Sequence, residues 1–135
     1  MSGESEEHAL LVSRLADFVK SQHGYGGNLA LYLDDQARGR ERPQRIGNHL
    51  PDIYAEDVPR SFVVIGEAKT QLDLVSPRSR RQIGTFIRHL ALYDAAFFYL
   101  AVPFLAKPAA TTLVRELGCG HEGVKMQILT MDIDF

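Results

Sequence analysis

Residues 62–65 restrict the possible folds of this chain more than any other segment, because they read Phe-Val-Val-Ile without a polar interruption. Side chains alternate between the two faces of a strand, so this run places apolar groups on both faces of its sheet. Both faces then need a covering layer, as in sheets flanked by helices. Residues 95–102 form a second apolar stretch of this kind. We therefore predict an α/β protein with two buried strands inside its sheet.

Length and composition fit one globular domain. The chain has 135 residues, of which 45% are hydrophobic and 24% are charged, so we predict a single domain over residues 1–135. These proportions exclude a disordered, collagen-like or coiled-coil chain. The net charge of −2 argues against a protein that is basic overall and binds nucleic acid through that charge alone.

Cysteine usage and apolar stretches indicate a compartment. The one cysteine, Cys119, cannot form an internal disulfide and fits a reducing cytoplasm. The first residues are acidic, whereas a signal peptide begins with basic residues. The longest apolar stretch, residues 95–106, contains Pro103 and is too short to span a bilayer. We expect a cytoplasmic protein with no membrane partner.

Apolar periodicity and turn residues predict the element order α-β-β-β-α-β-α-β. Helices are predicted at residues 4–22, 77 to about 93, and 108–117, and strands at 29–33, 46–55, 62–69, 95–102 and 125–133. Ser76 and Pro77 are a helix cap followed by a first-turn proline. Pro51 interrupts the second strand, where proline is tolerated only at an edge, an end or a bulge. This order predicts a central mixed sheet flanked by helices, with meandering early strands and helical crossovers between the later ones.

Two neighbouring predicted strands each carry an acidic residue beside apolar ones, namely Asp52 and Glu67. Because strand side chains alternate, Glu67 and Lys69 point to the same face. An unpaired buried charge is costly, so such residues pair, bind a metal or line a cleft. Two carboxylates beside an ammonium group suit Mg²⁺-assisted hydrolysis of a phosphodiester. The alternative is a structural Glu67–Lys69 pair at a solvated strand end.

These residues carry a resemblance to a known family. Pro51-Asp52, followed after fourteen residues by Glu67-Ala68-Lys69 at the end of an apolar strand, resembles the motif of the PD-(D/E)xK nuclease superfamily. That superfamily has the restriction-endonuclease-like fold, with an α-β-β-β-α-β core, and includes archaeal Holliday junction resolvases. The resemblance covers residues 4–102. It implies that Asp52 and Glu67 ligate Mg²⁺, or Mn²⁺ as a substitute, with the Ala68 carbonyl as a further ligand, and that Lys69 acts on the attacking water.

The helix after the motif extends the resemblance. Gln82 and Phe86 are similar to the Gln-x-x-x-Tyr extension of the RecB-nuclease-like branch, with phenylalanine in place of tyrosine. This implies that Gln82 belongs to the catalytic set and contacts the scissile phosphate or the attacking water. The alternative is an exposed helix glutamine.

The superfamily often adds a glutamate from the first helix. Glu7 and Glu4 precede Leu11 by four and seven positions, so both lie on the core-facing side of the predicted helix. Glu7 is the predicted metal ligand and Glu4 the second candidate. The alternative is that these acids only complement the positive end of the helix dipole.

Eight of the 15 cationic side chains fall in two short windows, residues 38–45 and 78–88. Phosphate contacts supply much of the affinity for nucleic acid. We therefore predict that nucleic acid is bound by four arginines around the acidic pair: Arg45, Arg78, Arg80 and Arg81. The alternative is a set of solvated arginines balanced by nearby acids.

Together these features predict a Mg²⁺-dependent nuclease, with DNA favoured, acting as an endonuclease or a structure-selective nuclease. The chain holds little beyond a catalytic core, which favours a homodimer or a subunit of a larger DNA-processing assembly. Residues 95–106 or the C-terminal strand are candidate interfaces. One alternative is a noncatalytic nucleic-acid-binding or assembly module that keeps the nuclease fold. Another is a different α/β protein with an accidental motif. Carboxylates of Asp52 and Glu67 on opposite faces of the sheet would exclude the nuclease.

Overall fold

The computed structural model describes residues 6–24, 26–34, 43–58 and 60–131. The helices are α1 (Glu6–His23), α2 (Gln71–Leu74), α3 (Pro77–Leu90) and α4 (Lys107–Gly118), with a 3₁₀ turn at Phe104–Ala106. The strands are β1 (Leu29–Leu33), β2 (Ile53–Asp57), β3 (Val63–Ala68), β4 (Ala96–Pro103) and β5 (Val124–Met131). They form one sheet in the order β1-β2-β3-β4-β5. The first three strands pair antiparallel and the last three parallel, which confirms the predicted α/β class and mixed sheet flanked by helices.

Helices cover both faces of the sheet. Leu11 and Leu15 of α1 belong to one buried core together with Val64 of β3. Phe86 of α3 and Ile65 of β3 belong to a second core, which α4 completes on the opposite face. Consecutive residues of β3 thus enter different cores, as the uninterrupted apolar run predicted. Within the residues that the structure describes, no helix is long and apolar enough to cross a membrane.

The second strand is shorter than predicted. β2 begins only at Ile53, whereas Ile46 and His49 form an isolated bridge around Gly47, whose φ is 61°. Glycine adopts this left-handed conformation without steric cost. Pro51 has no N–H to donate to a ladder, so the chain turns here and joins the sheet after the proline. The predicted strand at residues 46–55 therefore divides into a turn and a strand.

The helices differ from the prediction mainly at their ends. α2 was not predicted, because four residues are too few to show helical periodicity. Ser76 caps α3 as predicted, since its Oγ accepts a hydrogen bond from the Ser79 N–H at 3.1 Å. α3 ends at Leu90 instead of near residue 93. The predicted ends at residues 4 and 133 lie outside the described residues.

The candidate functional site lies at the side of the sheet where the parallel strands end. The carboxyl ends of β3, β4 and β5 meet at this side, and the antiparallel β2 begins there. Ile53 pairs with Gly66, so the residues beside them, Asp52 and Glu67, lie at the same level. A Cβ built on Gly66 would stand 3.0 Å from the Leu15 side chain. The glycine thus permits the close approach of α1 to the end of β3.

Candidate functional site

Two hydrogen bonds hold the carboxylates of Asp52 and Glu67 between the start of β2 and the end of β3. The Asp52 N–H donates to Glu67 Oε1 at 2.8 Å, and the Ala68 N–H donates to Asp52 Oδ2 at 2.8 Å. Each carboxylate is therefore fixed by a backbone group of the opposite strand. The two carboxylates are neighbours rather than groups on opposite faces, which is the arrangement that the nuclease prediction requires.

Lys69 and Gln82 complete this group. Lys69 Nζ lies 3.3 Å from Glu67 Oε2 and donates a hydrogen bond to Gln82 Oε1 at 2.5 Å. Gln82 is buried on α3, so it is not an exposed helix glutamine. The structure thus brings together the four predicted catalytic residues, Asp52, Glu67, Lys69 and Gln82, from two strands and one helix.

Burial has the largest effect on the pKa of the Glu67 carboxyl. This residue is 1% exposed, and burial raises the pKa of its carboxyl well above the usual value. The neighbouring Asp52 carboxylate raises that pKa further, whereas Lys69 and the hydrogen bonds work in the opposite direction. Because burial outweighs the lysine, the Glu67 carboxyl favours either a proton or an additional cation.

His8 is a residue of this site that the sequence did not single out. Its Nε2 lies 3.4 Å from Asp52 Oδ2. Glu7, the predicted ligand, is not among the residues that line the cleft around Asp52, and Glu4 lies outside the described residues. His8 and Glu7 precede the buried Leu11 by three and four positions, so helical spacing places both on the core-facing side. The orientation of α1 over the sheet decides between them.

The acidic pair opens into a cleft of about 320 Å³. The cleft is lined by polar side chains and one leucine: His8, Asp34, Arg45, Asn48, His49, Leu50, Asp52, Glu67, Lys69, Arg78 and Gln82. Two of the four predicted phosphate-binding arginines, Arg45 and Arg78, are among them. Two arginines therefore line the same cleft as the two carboxylates.

The other two arginines occupy different places. Arg80 Nη1 lies 2.8 Å from Glu116 Oε1 of α4, so this pair lies between α3 and α4, and Arg80 does not line the cleft. Arg81 is exposed and does not line the cleft either. The arginines of the loop at residues 38–42 lie outside the described residues. Adjacent positions on α3 thus have different surroundings, because successive helical residues point about 100° apart.

His49 lines the cleft, and its pKa reflects the charged groups around it. Burial lowers the pKa of His49, and the positive charges of Arg78, Arg81 and Lys69 lower it further. Its ring centroid lies 6.2 Å from that of Phe86 in an edge-to-face arrangement. His49 therefore lies near three positive charges, although the two carboxylates line the same cleft.

The donor set fits a hard divalent cation. Mg²⁺ prefers oxygen ligands, keeps several waters and is commonly held by one or two carboxylates. The Ala68 N–H faces Asp52, and the N–H and C=O of one strand residue point to the same side, so the Ala68 carbonyl also points toward β2. Among the described residues, no three His, Cys, Asp or Glu side chains form a ready-made metal site. A bound ion would take its remaining ligands from the backbone and water.

The chain was also compared with known proteins. Comparisons with protein-family models, curated proteins and solved structures each gave no match.

Proposed function

We propose that this chain is a Mg²⁺-dependent nuclease of the PD-(D/E)xK type, which hydrolyses phosphodiester bonds in nucleic acid, with DNA favoured. The observation that carries the proposal is the pair of adjacent carboxylates of Asp52 and Glu67, each of which accepts a hydrogen bond from a backbone N–H, with Lys69 Nζ 3.3 Å from Glu67 Oε2. The order α1-β1-β2-β3-α2-α3-β4 supports a restriction-endonuclease-like core, because it is the order of elements in that fold apart from the four-residue α2.

Asp52, Glu67 and the Ala68 carbonyl would hold the ion. Bound Mg²⁺ polarises a phosphoryl oxygen and lowers the pKa of its bound water. The raised pKa of Glu67 supports this role, because a cation can replace the proton that burial favours on this carboxyl. The two backbone hydrogen bonds hold both carboxylates in place before any ion arrives.

The remaining side chains act on water and phosphate. In this proposal the Lys69 ammonium group orients the attacking water and stabilises the negative charge that develops on the phosphoryl oxygens. Gln82 fixes the lysine by accepting its hydrogen bond. His8 contacts Asp52 and thereby restrains the orientation of this carboxylate. Arg78 lines the same cleft, and in this proposal it binds a flanking phosphate.

The test is a cleavage assay with matched variants. Plasmid, linear duplex, single-stranded and four-way-junction DNA, and single-stranded RNA, are incubated with Mg²⁺, with Mn²⁺ or with EDTA. Wild type is compared with Lys69→Ala and Asp52→Ala, and with Lys125→Ala as a control on β5. We expect metal-dependent cleavage that falls by about a hundredfold or more in the first two variants and is unchanged in the control. Cleavage that survives in both site variants, or absence of cleavage of every substrate by wild type, would contradict the proposal.

A further inference from the structure

A second cavity lies on the same face of the sheet as α3 and has a volume of about 290 Å³. Three tyrosines from three separate elements line it: Tyr32 of β1, Tyr54 of β2 and Tyr93 after α3. Tyr32 and Tyr54 are direct partners in the antiparallel ladder, so their side chains lie on one face. The chain has five tyrosines, and the cavity therefore gathers most of them in one place.

The polar groups of this cavity are fixed by contacts with one another. The Arg60 guanidinium makes two contacts with the Glu56 carboxylate: Nε lies 3.0 Å from Oε1, and Nη2 lies 3.3 Å from Oε2. Its backbone has a φ of 71°, which non-glycine residues seldom adopt. Burial, with Tyr93 and Glu56 as further contributors, raises the pKa of Tyr54. The Tyr54 hydroxyl thus stays protonated beside the Glu56 carboxylate.

This combination favours a flat aromatic ligand with a hydrogen-bonding edge. Tyrosine rings are able to stack on a planar group, and the paired Glu56 and Arg60 add a carboxylate and a guanidinium to the lining of the cavity. The volume is near the lower end of the roughly 300–1,000 Å³ found for small-molecule pockets, which suits one planar group better than a folded peptide. Aromatic side chains that stack on bases are the usual means of holding unpaired nucleotides.

The tyrosine cavity is connected to the acidic cleft through the segment of residues 43–50. Arg45 lines both cavities. Within this segment, Ile46 and His49 exchange backbone hydrogen bonds of 2.8 and 3.0 Å, and His49 packs against Phe86 of α3. Gln44 and Ile46 line the tyrosine cavity, whereas Asn48, His49 and Leu50 line the acidic cleft, so the segment borders both cavities. A phosphate bound by Arg45 would have the carboxylates on one side and the tyrosines on the other.

We propose that the tyrosine cavity holds one unpaired nucleobase of a nucleic-acid strand whose phosphate lies in the Asp52–Glu67 cleft. The inference deepens the proposed nuclease function and rests on it for the identity of the strand. It also names the substrate class. A base inside a duplex cannot enter a cavity unless it leaves the stack, so the preferred substrate is single-stranded or locally unpaired nucleic acid rather than a continuous duplex.

The test measures binding in EDTA, where no hydrolysis takes place. A short single-stranded DNA of mixed sequence is compared with an abasic strand of equal length and charge, using wild type, Tyr32→Phe and Tyr32→Ala. We expect wild type and Tyr32→Phe to bind the base-bearing strand about tenfold more tightly than the abasic strand. In Tyr32→Ala this ratio should fall to about twofold or less. Thermal unfolding verifies that each variant is folded.

A measurement on wild type removes the dependence on variant folding. The base-bearing strand should shift the aromatic NMR resonances of Tyr32, Tyr54 and Tyr93, whereas the abasic strand should leave them in place. Equal affinity for the two strands, or tyrosine resonances that do not move, overturns the inference even if wild type cleaves DNA. Base-dependent binding without any cleavage would instead leave the cavity assignment intact and contradict the nuclease. The two proposals can thus fail separately.

Discussion

The substitution Glu67→Gln tests the acidic pair most directly. Glutamine is nearly isosteric with glutamate, and its carbonyl oxygen can still accept the hydrogen bond from the Asp52 N–H. The variant loses the contact of Glu67 with Lys69 at 3.3 Å. It also loses a buried negative charge beside Asp52. Because the pKa of Glu67 is raised rather than lowered, burial and Asp52 outweigh the lysine, and the metal-free variant should be more stable than wild type.

The size of the effect follows from general thermodynamics. Relief of an unfavourable local interaction commonly gains about 0.5–2 kcal/mol. For a chain of 135 residues, the entropy of unfolding is about 0.28 kcal/mol per kelvin, so a gain of about 1 kcal/mol raises the melting temperature by about 4 °C. Magnesium at about ten times its dissociation constant stabilises wild type by about 1.4 kcal/mol, or about 5 °C. Glu67→Gln should lose this magnesium response.

The pH dependence has a definite sign. A carboxyl whose pKa is raised in the folded protein binds its proton more tightly there than in the unfolded chain. The stability that it contributes is present below its unfolded pKa and is lost as the pH rises through the folded pKa. The advantage of Glu67→Gln over metal-free wild type should therefore be larger at about pH 8 than at about pH 5. Magnesium replaces the proton, so the magnesium shift of wild type should grow with pH.

The assay is thermal unfolding at both pH values, with and without Mg²⁺. Glu116→Gln provides the matched control, because Glu116 is an exposed acid that pairs with Arg80 on the other side of α3. This control should keep the full magnesium shift. A Glu67→Gln variant with the wild-type magnesium shift would exclude Glu67 as a ligand. If Glu67→Gln without Mg²⁺ is less stable than wild type at the higher pH, that result refutes the argument that burial of the Glu67 charge destabilises the metal-free protein.

Three further predictions concern phosphate contacts and packing. Arg78→Ala should weaken DNA binding and reduce the slope of log affinity against log salt concentration by about one. Arg80→Ala should bind DNA like wild type, because Arg80 pairs with Glu116. Equal losses of affinity in salt titrations of the two variants would contradict this prediction. Gly66→Ala should destabilise by about 1–3 kcal/mol, since the new Cβ stands 3.0 Å from Leu15, and an unchanged urea midpoint would refute the close approach of α1. Phe86→Ala should cost about 3–5 kcal/mol, because Phe86 is fully buried; a loss below about 1 kcal/mol in urea unfolding would contradict this.

Local patterns predicted much of the fold. The apolar run at residues 62–65 defined the central strand, and Ser76 with Pro77 defined the start of α3, because periodicity and caps depend on nearby residues. The second strand was predicted too long, although Pro51 marked the place where it fails. That strand begins at Ile53, after Pro51, and the preceding turn around Gly47 lies against Thr85 of α3, which is a contact between distant parts of the chain.

The residues of the candidate site likewise fall into those that local sequence patterns locate and those that only packing locates. Residue type along the chain predicted that Glu67 and Lys69 share one face at the end of an apolar strand. It placed Asp52 inside the second strand, and the structure moves Asp52 to the start of that strand. The packing of α1 on the sheet brings His8 rather than Glu7 against Asp52. Helical spacing allows both residues to face the sheet, and only the rotation and position of α1, set by the close contact at Gly66, select one of them.

Packing between distant parts of the chain also determines the surroundings of the arginines and of the cavity tyrosines. Arg78 and Arg80 are equivalent cations in the sequence, yet one lines the cleft and the other pairs with α4. The tyrosine cavity had no sequence signal, because its walls come from β1, β2 and the turn after α3. Side-chain chemistry and strand alternation are local properties that can be read along a chain. Which residues from different elements share one cavity depends on how helices and strands pack, and the tertiary structure alone provides that.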